Sequence, residues 1–237
     1  MLFTERKLIF PSQNLFFMKP EIIIFDINET LLNLFPLKEE INAALENEMG
    51  FEVWFPKLLH YSLVETTTEN YANFTEIAAA TFKMISGKFD KTFTNQEIKN
   101  ILSEITKLPA HPDVKPGLEQ LKNSGTKLIA LSNGKPDVLQ SQLEFAEIDS
   151  FFEGIHSIEE VKKYKPHPES YHYVLDKYKI EAKNALMVAA HPWDILGAKR
   201  ANLKTCFVNR QEEGFYHLAK KPDISVSGID EILENCS

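Results

Sequence analysis

The sequence predicts an α/β protein with a doubly wound, Rossmann-like parallel-sheet core and an inserted helical segment, and three observations predict it. Short apolar runs without polar alternation recur along the 237 residues, as strands buried on both faces require. Helical patterns separate these runs, the strand–helix alternation of a parallel sheet covered on both sides. A long stretch after the first strand carries helical periodicity alone, which marks an insertion between the first and second strands.

Each element follows from its residues. "IIIFDI" within 21–27 is the first strand. "PLKEEINAALENEMG", residues 36–50, has helical periodicity and closes on Gly50, read as a C′ stop. "EVWFPKLLHYSLVETTT", "NFTEIAAATFKMISG" and "TNQEIKNILSEITKL" continue as helices, and Thr94 with Glu97 has capping-box spacing. "LEQLKNSG" is helix and stop, "TKLIALSNG" strand, "KPDVLQSQLEFA" helix, "NALMVAA" strand, "HPWDILGAKRANL" helix, "KTCFVNR" strand and "DISVSG" a last strand. The implied organisation is an N-terminal extension at 1–17, a core from 18–33 and 113–237, and a helical segment at 34–112. The extension reading rests on Met18 standing just before the first strand and on the usual looseness of untied termini.

Bulk properties exclude several function classes. A formal net charge of -8 argues against a general affinity for nucleic acid or acidic membranes, and leaves room for a local anion pocket. No apolar stretch reaches membrane-spanning or signal-peptide length. Cys206 and Cys236 are too few for a disulfide framework, which points to a reducing cytoplasm.

In doubly wound sheets, sites form beyond the carboxyl ends of strands. Three such ends carry unusual chemistry: "FDINET", "LSNG" and "VAAHPWD". The most apolar strand runs directly into Asp26, Asn28, Glu29 and Thr30. Carboxylates placed there are functional candidates, against the alternative of a turn aspartate capping the next segment.

With "KKYKPHPESY" at 162–171, these ends resemble the haloacid dehalogenase superfamily: Asp26 and Thr30, then Ser132 and Asn133, then Lys165, then Asp194, in the family's order. "LSNG", "KYKP" with Tyr171, "WDILGAKRANL" and "TCFVNR" resemble its type II branch, the (S)-2-haloacid dehalogenases, with the helical insert where that branch has its cap. The resemblance implies a hydrolase that turns short (S)-2-haloalkanoic acids into (R)-2-hydroxy acids and halide through an ester on Asp26. It implies a 2-halocarboxylic acid as the small-molecule partner, a homodimer, no metal and no cofactor. Asp26 would attack carbon once stripped of its hydration shell, and Lys165 would hold it ionised, unless Lys165 is a solvated loop lysine. Asn28, Thr30, Phe55, Ser132, Asn133, Tyr171 and Trp193 would contact substrate.

The departures carry information of their own. Asn28 stands where superfamily phosphatases keep a proton-donating aspartate and where the type II branch has an aromatic residue. A halide leaves without a proton, so Asn28 favours dehalogenation. The branch's cap Trp-Arg pair is Trp54-Phe55 here, and apart from Arg6 no arginine precedes Arg200. Phe55 would then line a dry halide pocket or simply pack the cap, and backbone N–H groups near the helix after Asn133 would take the carboxylate. The branch's serine and asparagine before Trp-Asp are Ala189 and His191, and its common glycine is Glu29. Glu29 and His191 together make a candidate base for ester hydrolysis, against a solvated loop acid and a turn histidine. Two other functions stay open at this point: a magnesium-dependent phosphatase with Asp26 and Asp194 as ligands, and a noncatalytic binding protein on the same scaffold.

Overall fold

The computed structural model describes residues 19–210 and 215–236. The proposed 1–17 extension lies outside them. A six-stranded sheet runs in the order β3-β2-β1-β4-β5-β6, with every neighbouring pair parallel. Its strands are β1 (Ile22–Phe25), β2 (Lys127–Ser132), β3 (Gly154–Ser157), β4 (Ala185–Ala189), β5 (Lys204–Val208) and β6 (Ile224–Val226).

β1 is all apolar because it is central. Ile24 pairs with Ile129 on one side and Met187 on the other, and all of Ile22–Phe25 is buried. The chain moves outward from β1 through β2 to β3, then returns to lay β4 on β1's other edge. The strand order therefore reverses between β1 and β4, and their carboxyl ends flank the crevice where such folds bind ligands.

Helices α1 (Phe35–Leu45), α2 (Gly50–Thr67), α3 (Phe74–Ser86) and α4 (Asn95–Leu102) lie between β1 and β2. They are followed by α5 (Val114–Asn123), and α6 (Pro136–Phe145), α7 (Pro168–Tyr178), α8 (Pro192–Arg200) and α9 (Ile232–Asn235) complete the chain. Capping boxes at Asn73–Glu76 and Thr94–Glu97 start α3 and α4. Trp54 anchors α2 to α3 by donating from Nε1 to the Ala78 carbonyl at 3.1 Å. Among the described residues, no helix is long and apolar enough to cross a membrane.

Three local expectations are corrected. Gly50 does not stop α1, which ends at Leu45 with Glu46 left-handed at φ 50°; Gly50 opens α2, where an added Cβ would lie 2.8 Å from Leu45 Cδ1. The glycine serves close helix packing, not a turn. α5 begins at Val114, four residues before the "LEQLKNSG" helix expected from sequence, because Pro116 falls in its first turn, where no N–H is needed. β3, four residues at the sheet edge with a glycine and a histidine, carries too little apolar signal to be read from sequence.

Candidate active site

Asp26 continues β1 by one residue, its N–H donating to the Val188 carbonyl of β4 at 3.0 Å. Burial disfavours its charge, yet the Lys165 ammonium and His191 outweigh this and hold the carboxyl well below the usual carboxylate range. Lys165 is itself fully buried. Its Nζ donates to Asp26 Oδ1 at 2.7 Å, Asp194 Oδ2 at 2.8 Å and the Leu131 carbonyl at 3.1 Å, so all three N–H bonds are used. Its backbone N–H donates to Asn133 Oδ1 at 3.0 Å, tying the lysine loop to the end of β2.

Thr30 Oγ1 donates to the second Asp26 oxygen at 2.7 Å and accepts the Ala190 N–H at 2.9 Å. One hydroxyl thus positions the carboxylate and joins the tips of β1 and β4. Asp194 lies in the first turn of α8 and is fully buried. Burial raises its pKa against the opposing pull of Lys165. Tyr171 sits behind it, donating to Asp194 Oδ1 at 2.5 Å, and is wholly buried. The structure thus gives Tyr171 a place behind the carboxylate, in support of Asp194, where substrate contact was expected.

Glu29 and His191 meet. His191 Nε2 lies 2.5 Å from Glu29 Oε2, and His191 Nδ1 lies 3.5 Å from Asp26 Oδ2 with no closer hydrogen-bond partner among the described residues. The ring stacks on Trp193, centroids 5.0 Å apart. Burial would lower the His191 pKa, but the Asp26 and Glu29 carboxylates override this and push it up to about 10. Glu29 has φ 62°, a left-handed conformation that costs a non-glycine residue roughly 1–2 kcal/mol. A glycine would avoid that cost, and the Glu29 side chain's contact with His191 helps to offset it.

Two cavities meet at Phe55, which stacks on Phe51 with centroids 5.1 Å apart. The polar one, about 680 Å³, is lined by Glu29, His111, His191, Trp193 and Arg210 among others. The other is an apolar chamber of about 60 Å³ between α2 and α6, lined by Asn28, Trp54, Leu58, Gly134 and Gln142 among others. Ser132 and Ser157 hold Gly134, which lines the chamber: Ser132 Oγ accepts the Gly134 N–H at 3.0 Å, and Ser157 Oγ donates to the Gly134 carbonyl at 2.6 Å. One N–H expected to take a carboxylate is therefore engaged, and Pro136 has none to offer.

Two side chains were not singled out from sequence. Arg210 donates to both Asp113 oxygens at 2.7 and 2.8 Å and to the Thr30 carbonyl, holding the β1 turn from the end of β5. Its rarity was the available signal, since the chain has few arginines. Gln142 donates from Nε2 to Asn28 Oδ1 at 2.8 Å. Nothing in a helical "SQLEF" points to it.

A family model described as haloacid dehalogenase-like hydrolase matches residues 23–208. The haloacetate dehalogenase H-2 of Moraxella sp. is 26% identical over 218 residues, 91% of this chain and 97% of that protein. The (S)-2-haloacid dehalogenase 2 of Pseudomonas sp. is 26% identical, covering 89% of this chain and 93% of that protein. The L-2-haloacid dehalogenase structure from Xanthobacter autotrophicus, 22% identical, shares the fold at a TM-score of 0.83 over 91% of this chain and 97% of that one. A second structure of that enzyme, also at 0.83, holds chloropropionic acid covalently bound. With the family's match spanning most of the chain, and Asp26, Lys165 and Asp194 converging at one strand-end crevice, this chain belongs to the haloacid dehalogenase-like hydrolases.

Proposed function

We propose that the chain is a hydrolytic dehalogenase that converts short (S)-2-haloalkanoic acids to (R)-2-hydroxy acids and halide. The observation that carries this reading is a buried Asp26 carboxylate kept ionised by Lys165 at the tip of β1, two residues before Asn28, which lines a small apolar chamber. The similarity to named haloacid and haloacetate dehalogenases over about nine-tenths of the chain supports it.

In the first step an Asp26 oxygen attacks C2 of the substrate from the side opposite the halogen. The carbon–halogen bond breaks with its electron pair on the halide, and an ester remains on Asp26. Positioning and exclusion of water make a weakly nucleophilic carboxylate competent. Residues 34–112 act as a cap over this step, with Phe55 as the wall between the dry chamber and the polar cavity. Ser132 and Asn133 hold the substrate carboxylate.

In the second step His191, its own proton passed to solvent, takes a proton from water as the water attacks the carboxyl carbon of Asp26. The bond from that carbon to the substrate oxygen breaks, His191 returns the proton to the leaving oxygen, and the restored Asp26 carboxyl releases its proton to solvent. The C2–oxygen bond survives, so the hydroxy acid keeps the inverted configuration and Asp26 gains one solvent oxygen. Esterification removes the Asp26 charge, one of the two that raise the His191 pKa. The ring therefore loosens its proton at the stage when a base is needed, with Glu29 orienting it. Side chains and water make every bond change in this scheme. The His191→Asn and Glu29→Gln variants should stall with Asp26 esterified, seen as a mass increase on its peptide; unimpaired turnover in both would overturn the role of the pair.

The phosphatase alternative has a poorer fit to the donors present. A divalent cation would need Asp194, whose two oxygens are taken by Lys165 and Tyr171, and Asn28 cannot protonate a leaving alcohol. Chloride release that survives EDTA, with no phosphate release, is the expected result. A noncatalytic binding protein is separated by a single turnover in heavy-oxygen water, since only ester hydrolysis leaves label in Asp26. No halide release from any 2-chloro or 2-bromo acid would defeat the proposal.

A further inference from the structure

The apolar chamber beside Phe55 holds one feature that packing does not explain. Gln142 on α6 is 1% exposed and lines the chamber, yet its Oε1 has no hydrogen-bond partner among the described residues. A buried acceptor left unpaired costs about 1–3 kcal/mol. Leucine or methionine would fill the same space without that cost. The amide is thus kept for something other than stability.

Its one bond indicates what. Gln142 Nε2 donates to Asn28 Oδ1 at 2.8 Å, which fixes the direction of the Asn28 amide. The oxygen end faces Gln142, and the NH₂ end has no protein acceptor among the described residues, in a residue that itself lines the chamber. Of the remaining walls, Leu37, Trp54, Phe55 and Leu58 offer no hydrogen-bond donor to the chamber once Trp54 Nε1 is spent on Ala78, and Thr75 adds one hydroxyl. One charged side chain, Lys135, lines it, with Nζ 3.5 Å from Asp137. A largely apolar space with an oriented N–H donor and a cation at its edge suits a small anion that accepts hydrogen bonds and gives none. A halide is such an anion.

We propose that Gln142 is a positioning residue that holds the Asn28 amide with its NH₂ group toward the chamber, where it receives the halide as the bond to carbon breaks. This rests on the dehalogenase reading above and supplies the leaving-group site that a cap without arginine lacks. Asn28 is the group that touches the halide; Gln142 acts through it.

The test uses bromide as the probe. In the unsubstituted protein, crystals soaked in bromide should show anomalous density within hydrogen-bond reach of Asn28 Nδ2. In kinetics with 2-chloropropionate, Gln142→Leu should weaken inhibition by added bromide roughly tenfold, the loss of one hydrogen bond to a charged group. Asn28→Leu should do the same, and the double variant should be no weaker than Asn28→Leu alone, because Gln142 works through Asn28. The Gln142→Leu melting temperature should hold or rise. Bromide density elsewhere, unchanged inhibition in Gln142→Leu, or effects that add in the double variant would each overturn the inference. The soak needs no variant to fold. Bromide in the chamber without turnover would strike the dehalogenase reading alone, and turnover with bromide elsewhere would strike this inference alone.

Discussion

Replacing Lys165 with methionine tests the charge arrangement on which the site depends. Methionine keeps the length and apolar stem and removes the ammonium. The lysine donates to Asp26 at 2.7 Å and Asp194 at 2.8 Å, and all three side chains are almost wholly enclosed. Removing the cation leaves two buried carboxylates facing one another, and breaking a buried pair this way costs about 3–5 kcal/mol. At about 2–4 °C per kcal/mol for a chain of this size, melting should fall by roughly 6–20 °C at pH 7. The deficit has a defined pH dependence. The Asp26 contribution, from a depressed pKa, is complete above its ordinary 3.8 and fades as pH falls through the lower folded value. The Lys165 contribution, from a raised pKa, is complete below 10.5 and fades only above that. Thermal melts of both proteins from pH 3 to 9 should therefore show a full deficit from about pH 5 upward that narrows toward pH 3, where the variant's carboxylates take up protons. The variant should also fail to form the ester, because the ammonium that holds Asp26 Oδ1 in place is gone. An unchanged melting temperature at pH 7, or a deficit that widens on acidification, would refute the buried-charge reasoning.

Two further predictions rest on other contacts. His191, with its pKa raised to about 10 from an ordinary 6.5, contributes stability that is complete below pH 6.5 and gone above pH 10; its ceiling is about 5 kcal/mol. The melting difference between the unsubstituted protein and His191→Gln should shrink across that interval, and a constant difference would show that the ring is not charged. Gly197→Ala would put a Cβ 2.4 Å from Pro166 Cβ and 2.6 Å from the Tyr171 hydroxyl. It should cost about 1–3 kcal/mol in denaturant unfolding and lower turnover by displacing the Tyr171–Asp194 contact.

The parallel core was legible because strands covered on both faces are written as unbroken apolar runs, as in Ile22–Phe25 and Ala185–Ala189. Edge strand β3 was not, since one exposed side relaxes that demand. Asp26 could be picked out because it is a charge at the tip of the most apolar strand, and Lys165 and Asp194 because they match motifs of the haloacid dehalogenase superfamily in order. The Glu29–His191 contact was read from two departures at strand ends that a parallel sheet must bring to one crevice.

What the sequence determined by itself is therefore whatever periodicity and strand-end position encode: the layers, the direction of the strands and the residues that crowd one crevice. Tertiary structure alone decided which of those residues face a cavity and which stand behind it. It put Tyr171 behind Asp194, tied Arg210 to the Thr30 carbonyl and set Gln142 against Asn28 across 114 positions of chain. Such contacts join elements whose spacing along the sequence is set by unrelated helices. Local sequence pattern carries no trace of them until the sheet fixes where those helices lie.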